Sequence, residues 1–325
     1  MKEIMNMKLK TLILTIALIL GVSTNISAQP GAVKKAADAA FTLTTFKADG
    51  SILATSNGVC ISTDGVAVSP WKPFIGADKA VIIDAKGQKH EVECLLGANE
   101  IYDIVKFQVS GKTTAAPLAT TVSVGDEAWI TPMPKSGNAE KADVSSVEKF
   151  MDKYNYTILK SSATDKLNGA PVFNAKGQVI GLFNSAGESQ SSTDANYAKD
   201  FVVKGLSQND ITLRQSNIRI GLPNTVEEAV VALMLSSEKP TNIHEGIVNE
   251  FISKFPQAND GYYALANIQV AKGEFANADK TMQTAISKVT AKDEAHYNFA
   301  RLIYRNALIQ EFAEKTKSVG WTLDK

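Results

Sequence analysis

The chain has 325 residues, of which 44% are hydrophobic, and its 34 basic and 34 acidic residues cancel. This length accommodates one large domain or two ordinary ones, and the hydrophobic fraction supports a packed core. The balanced charge gives no reason to expect a nucleic acid as a partner. The two cysteines, Cys60 and Cys94, lie too far from the histidines for a zinc pattern, so we expect no metal and no other cofactor.

The amino terminus has the organisation of a secretory signal. Lysines precede an apolar run over residues 11–22, and a polar segment of small residues follows it. The run is shorter than the roughly 20 residues that span a bilayer. We therefore predict a signal peptide over residues 1–28 and an exported protein, periplasmic or secreted, without stable membrane insertion after cleavage. A retained anchor helix is the alternative. Whether Cys60 and Cys94 pair after export stays open, since two buried free thiols fit the sequence equally.

Residues 29–206 are predicted to be all-β. Short apolar runs alternate there with turn signals such as Asp49-Gly50 and Asp64-Gly65. The strand-like runs are 41–46, 52–55, 58–62, 80–84, 90–96, 104–109, 127–131, 144–147, 156–160, 171–173, 179–183 and 197–203. About a dozen short strands at a spacing of roughly 8–12 residues, with little helical periodicity, indicate a sandwich or a pair of barrels.

One segment of this region carries a recognisable motif. Lys166-Leu-Asn-Gly-Ala-Pro171 is followed by a strand, a turn and a second strand. It resembles the nucleophile segment of trypsin-like serine proteases, especially the periplasmic heat-shock class, which reads Gly-Asn-Ser-Gly-Gly-Pro. In this match Asn168 takes the place of the serine. Lys166 replaces a glycine whose loop supports an oxyanion hole. The resemblance places a peptide-binding cleft at Lys166, Leu167, Asn168 and Gly169.

The other two positions of the protease triad can be matched in the same way. The segment 64–74 places Lys72 where the family has its histidine, and the segment 99–107 retains the aspartate as Asp103. A lysine is protonated at neutral pH and so does not serve as the general base. Asp103 would then form local hydrogen bonds or an ion pair with Lys72.

The resemblance extends over residues 33–206, because 56–65 and 122–130 also match family segments in the correct order. It implies two six-stranded antiparallel barrels with a cleft between them. The chain has three histidines, and we interpret His90 as a solvated strand residue, while the others fall in the helical region. No functional catalytic residue is therefore expected.

The carboxy-terminal region changes to helical periodicity. Residues 207–224 are predicted as a linker or a packing arm, and residues 225–325 as helices. Residues 259–290 resemble a tetratricopeptide repeat, with degenerate repeats on both sides. The repeat positions are Tyr262, Leu265, Ala266, Gly273, Phe275, Ala278 and Ala285. A plain helical bundle is the alternative.

Together these patterns predict an exported, multidomain, non-catalytic protein. Its trypsin-like double barrel and tetratricopeptide-like helices would bind a protein or peptide, either as an added strand in the cleft or on the concave face of the helices. An active trypsin-like serine endopeptidase with a non-standard catalytic centre is the alternative. A structural envelope protein with an empty cleft is a third reading.

Overall fold

The computed structural model describes residues 29–187 and 189–322. The predicted signal peptide lies outside these residues. The described chain forms two closed six-stranded antiparallel β-barrels and a helical carboxy-terminal region. A short helix, α1 (Gly31–Ala36), precedes the first barrel.

The first barrel, barrel 1, closes in the strand order β1-β2-β3-β6-β5-β4. Its strands are β1 (Ala40–Phe46), β2 (Ile52–Cys60), β3 (Val66–Ser69), β4 (Lys79–Ile83), β5 (Lys89–Asn99) and β6 (Ile104–Val109). The predicted Asp-Gly turns join β1 to β2 and β2 to β3, with Gly50 and Gly65 at φ +81° and +90°, where a glycine is favoured. Phe41, Trp71 and Phe107 are fully buried in its core.

The second barrel, barrel 2, repeats the same plan in the order β10-β11-β12-β9-β8-β7. Its strands are β7 (Glu127–Ile130), β8 (Glu140–Phe150), β9 (Tyr154–Ser161), β10 (Pro171–Asn174), β11 (Val179–Ala186) and β12 (Ser189–Asp194). Two such barrels in succession are consistent with the trypsin-like double-barrel fold expected from the sequence. A shared apolar cluster joins them, with Val59 and Ile104 from barrel 1 against Phe173 and Leu182 from barrel 2.

The predicted strand over residues 197–203 is wrong. The last strand of barrel 2 is the polar run β12, and it is followed by a short helix, α2 (Ala195–Lys199). Asp194 begins this helix, because its carboxylate accepts a hydrogen bond from the Asn196 backbone N–H at 2.8 Å. The interpretation failed because β12 consists of Ser, Gln, Thr and Asp residues, which carry little of the hydrophobic signal used to identify strands.

The two cysteines are buried free thiols. Cys60 lies on β2 and Cys94 on β5, and these strands are three positions apart in either direction around barrel 1. Burial raises the pKa of each thiol to about 12, so both stay protonated and unreactive at neutral pH.

Residues 207–224, called here the arm, pack along barrel 1. The Leu95 N–H donates to the Arg219 carbonyl and the Gly221 N–H donates to the Leu95 carbonyl, each at 2.9 Å. Leu213, Ile218 and Ile220 are buried in the barrel core. The arm therefore fixes the start of the helical region against barrel 1.

Six further helices follow the arm. They are α3 (Val226–Ser236), α4 (Thr241–Lys254), α5 (Asn259–Ala271), α6 (Phe275–Lys288), α7 (Lys292–Ala307) and α8 (Ala313–Ser318). Arg219 of the arm forms an ion pair with Glu250 of α4, which ties the helices to the barrel. Within the described ranges, no helix is long and apolar enough to cross a membrane.

Candidate functional site

The space between the barrels brings together the three positions that match the protease triad. Lys72 and Asp103 come from barrel 1 and Asn168 comes from barrel 2, and all three line a cavity of about 300 Å³. This cavity, called the cleft, is also lined by Ser56, Pro70, Tyr102, Asp165, Phe183 and Thr193.

The Asp103 carboxylate lies closer to the backbone N–H of Lys72 than to the Lys72 side-chain ammonium. One carboxylate oxygen accepts the Lys72 backbone N–H at 2.8 Å, and the other lies 3.6 Å from the Lys72 Nζ. The Lys72 side chain is 74% exposed, so this ion pair is largely solvated and contributes little to stability. Nothing in these contacts orients a base toward a nucleophile.

Asn168 uses its polar groups for internal hydrogen bonds. Its Oδ1 accepts the Ser185 N–H at 2.7 Å, and its Nδ2 donates to the Ser185 carbonyl at 3.3 Å. Its own carbonyl accepts a hydrogen bond from the Asn57 side chain at 3.0 Å. An amide is not a nucleophile, and here it also occupies both main-chain groups of Ser185 on the edge of β11.

The loop before Asn168 does not form an oxyanion hole. Asp165–Leu167 is a 3₁₀ turn, and the Asn168 N–H donates to the Asp165 carbonyl at 2.9 Å. That N–H is therefore unavailable to a substrate carbonyl, for which such a hole needs free donors. Lys166 and Leu167 lie on this turn and, unlike Asn168, are not among the residues that line the cleft.

Gly169 serves the packing of the two barrels. Its φ is +81°, and a Cβ at this position would come within 2.6 Å of the Asn57 carbonyl oxygen on barrel 1. Its N–H donates to the Phe183 carbonyl at 2.8 Å. Gly169 is thus required for the close approach of the loop to β2, whatever the cleft binds.

The three histidines of the chain all lie elsewhere. His90 is buried, contrary to the solvated position expected for it, with Nδ1 at 2.7 Å from the Ser110 carbonyl and Nε2 at 3.3 Å from the Asp84 carboxylate. His244 lies on α4, and His296 is exposed on α7. The cleft therefore contains no imidazole.

The residues matched to a tetratricopeptide repeat lie mainly inside the helical region. Tyr262, Ala266, Phe275, Ala278 and Ala285 are buried, Leu265 is half-buried, and Gly273 adopts φ +78° in the turn between α5 and α6. The small residues on these facing helices allow their close approach.

The helices carry a second open site, and the sequence predicted a binding surface on their concave face without naming its residues. A cavity of about 650 Å³, called the groove, lies between α3, α4 and α5. Its apolar lining residues, called the floor, include Leu233, Met234 and Ile268, and Lys239 and Asp260 are among its charged lining residues. Met234 is 68% exposed, although its helical spacing in the sequence places it on the same apolar face as the buried Leu233.

His244 also borders the groove. Ser236 Oγ donates to the Leu233 carbonyl at 2.7 Å and lies 2.8 Å from His244 Nδ1, so it connects the imidazole ring to the end of α3. Burial lowers the pKa of His244 and favours the neutral ring.

Within the described part of the chain, no group of three or more His, Cys, Asp or Glu side chains is arranged to hold a metal ion. No known protein-family model matches the sequence, and no curated protein is significantly similar to it. The double-barrel architecture and the geometry of the cleft are therefore the basis for a functional proposal.

Proposed function

We propose that this chain is an exported, non-catalytic protein of the trypsin-like protease type that serves as a scaffold for a peptide or protein ligand. One observation carries the proposal. At the three positions where a protease needs a base, its orienting carboxylate and a nucleophile, the chain has Lys72, Asp103 and Asn168, and Asn168 uses its amide to bind Ser185. These contacts support a structural role for the three positions.

The contacts of Asn168 also indicate where a ligand is most easily bound. A peptide that adds as a strand to β11 needs the N–H and carbonyl of Ser185, both of which already bond Asn168. The groove has no such competition, since its floor is apolar and open. We therefore assign the groove of the tetratricopeptide-like helices as the primary binding surface, for a segment with apolar side chains flanked by charged ones.

Selection of a peptide library against the purified protein, followed by titration of the selected peptides, tests this assignment. Met234→Glu introduces a charge into the apolar floor at an exposed position and should weaken binding at least about tenfold. Met151→Glu is the matched control, because Met151 is similarly exposed and lies outside the groove. Equal affinity of the two variants would reject the groove, and failure to select any peptide would reject the scaffold function.

A further inference from the structure

A third cavity lies where barrel 1 and the turn between β8 and β9 of barrel 2 meet the end of α2, the segment after it, the arm and α4. This crevice has a volume of about 750 Å³ and shares no lining residue with the cleft or the groove. It is independent of the proposed scaffold function. Its walls combine lysines with apolar side chains, and these two features together determine what it can bind.

The lysines that line the crevice exceed the carboxylates in number. Lys106, Lys153, Lys199 and Lys254 line the crevice, together with the acidic residues Asp200 and Glu250. Both carboxylates already have partners, since Asp200 pairs with Lys153 and Glu250 pairs with Arg219. The crevice therefore presents a net positive charge.

Two of these ammonium groups are held by neutral oxygens. Lys106 Nζ donates to the backbone carbonyls of Lys199 and Phe201. Lys254 Nζ donates to the Leu222 carbonyl at 3.0 Å and to the Asn224 side-chain oxygen at 2.9 Å. Each Nζ has three N–H donors, so one donor on each remains beyond these two bonds.

The environment of Lys106 makes an anionic ligand favourable. Its side chain is half-buried, and desolvation lowers its pKa, opposed only in part by the charge of Asp200. A desolvated cation held by neutral carbonyls carries a cost that is only partly compensated, and a bound anion reduces this cost.

The remaining wall is apolar and partly open to solvent. Leu96, Val203, Leu222 and Pro223 contribute to it, and Val202 is 68% exposed at its surface. A free inorganic anion would leave this surface and most of the volume unused. An apolar group attached to the anion would bury it.

We propose that the crevice binds a small amphiphilic anion, with a carboxylate or phosphate head on the lysines and an apolar body against the wall formed by Val202, Val203 and Leu222. Carboxylate and phosphate heads share this anionic, hydrogen-bonding chemistry, and the titrations described next distinguish them. A ligand here would contact barrel 1, the arm and α4 together and so stabilise the junction between the barrels and the helices.

Isothermal titration calorimetry of the purified protein tests the proposal with four probes kept below their micelle-forming concentrations. Octyl phosphate and octanoate carry both features, inorganic phosphate lacks the apolar body, and octyl glucoside lacks the charge. One or both of the amphiphilic anions should bind at least about tenfold more tightly than either single-feature probe, because hydrogen bonds to charged groups and apolar burial each contribute on this scale. Comparison of octyl phosphate with octanoate identifies the preferred head group.

Two substitutions test whether these ligands bind in the crevice. Val202→Glu adds a repelling charge at an exposed wall position and should weaken binding at least about tenfold, whereas Val202→Gln, of matched size, should change it less than about threefold. Lys254→Met should weaken binding similarly, with Lys176→Met, an exposed turn lysine outside the crevice, as its control. Near-ultraviolet circular dichroism checks that each variant is folded.

Three results would overturn the proposal. The first is no binding of either amphiphilic anion. The second is binding of octyl glucoside or inorganic phosphate as tight as that of the anions. The third is unchanged affinity in the folded Val202→Glu variant.

Discussion

Two aspartates of barrel 1, Asp103 and Asp84, have basic partners that could suggest a catalytic pair, and the two sites differ in burial and in position. Asp103 stands at the start of β6 in the cleft, beside the exposed Lys72. Asp84 bonds the buried His90, whose other nitrogen contacts Ser110 just beyond the opposite end of β6. Ser110 lies seven positions after Asp103, a distance of about 23 Å along an extended strand.

The comparison shows that a histidine and an aspartate in a barrel of this type do not make a catalytic pair. His90 has carbonyl and carboxylate oxygens as neighbours on both ring nitrogens, so it has no free nitrogen to accept a proton from a nucleophile. Asp103 lines the cleft but has no imidazole there to orient. Barrel 1 thus contains a histidine and an aspartate, as a protease does, but His90 and Asp103 lie too far apart to act together.

The largest effect should come from breaking the buried pair. His90→Ala leaves the Asp84 carboxylate and the Ser110 carbonyl without this partner in the interior, and should lower the free energy of unfolding by about 3 kcal/mol. Urea denaturation measures this change. His296→Ala, at an exposed position on α7, is the control, and a loss in His90→Ala no larger than in the control would show that the pair is not structural.

A smaller loss is expected on the barrel 2 side of the cleft. Asn168→Ala removes the two hydrogen bonds to Ser185 and should cost about 1–2 kcal/mol, while it frees the edge of β11. Hydrogen exchange of the Ser185 amide should become faster in this variant. Asn184→Ala changes the neighbouring asparagine, which has no side-chain hydrogen bond in the described structure, and should leave that exchange unchanged.

The exposed pair should be nearly neutral. Lys72→Met removes a solvated ammonium and keeps the bond between Asp103 and the residue 72 backbone, so we expect a change below about 0.5 kcal/mol. Asp103→Ala, which also removes that backbone bond, should cost about 1 kcal/mol more. Equal losses in the two variants would mean that the side-chain ion pair, and not the backbone bond, holds this corner of the cleft.

The half-buried His244 gives a prediction for how the free energy of unfolding depends on pH. Burial lowers its pKa in the folded state, so the unfolded state binds the proton first as the pH falls through about 6.5. Stability from the neutral ring is therefore complete above this pH and declines below it. The free energy of unfolding of His244→Gln should depend less on pH between 7 and 5.5 than that of the unchanged protein, and equal slopes would contradict the assignment.

The double barrel could be predicted because its information is local and repeated. Glycine turns at Gly50 and Gly65 and alternating apolar runs recur along the chain, and each specifies a hairpin. The burial of His90 was also readable in principle, since His90 and Val92 alternate with Glu91 and Glu93 and so share the inward face of β5.

Other features depend on contacts between distant residues and could not be read from the sequence. The Asn168 amide meets Ser185 only because β10 and β11 form a hairpin with a particular register. The crevice likewise requires β6, the arm and α4 to be placed together in three dimensions. The residue types at Lys72 and Asn168 indicated that the cleft lacks a base and a nucleophile. The hydrogen-bond partners of these side chains depend on tertiary packing and could not be predicted.

Labelling with a fluorophosphonate probe tests the central claim most directly, with trypsin as the positive control. We predict no labelling under conditions in which trypsin labels completely, because the cleft has no imidazole and no free oxyanion donor at Asn168. Ser56 is the serine that lines the cleft, and its hydroxyl lies 3.5 Å from the Asn57 carbonyl. Stoichiometric labelling at Ser56, abolished by Ser56→Ala together with peptide hydrolysis, would contradict the account and identify the protein as an enzyme.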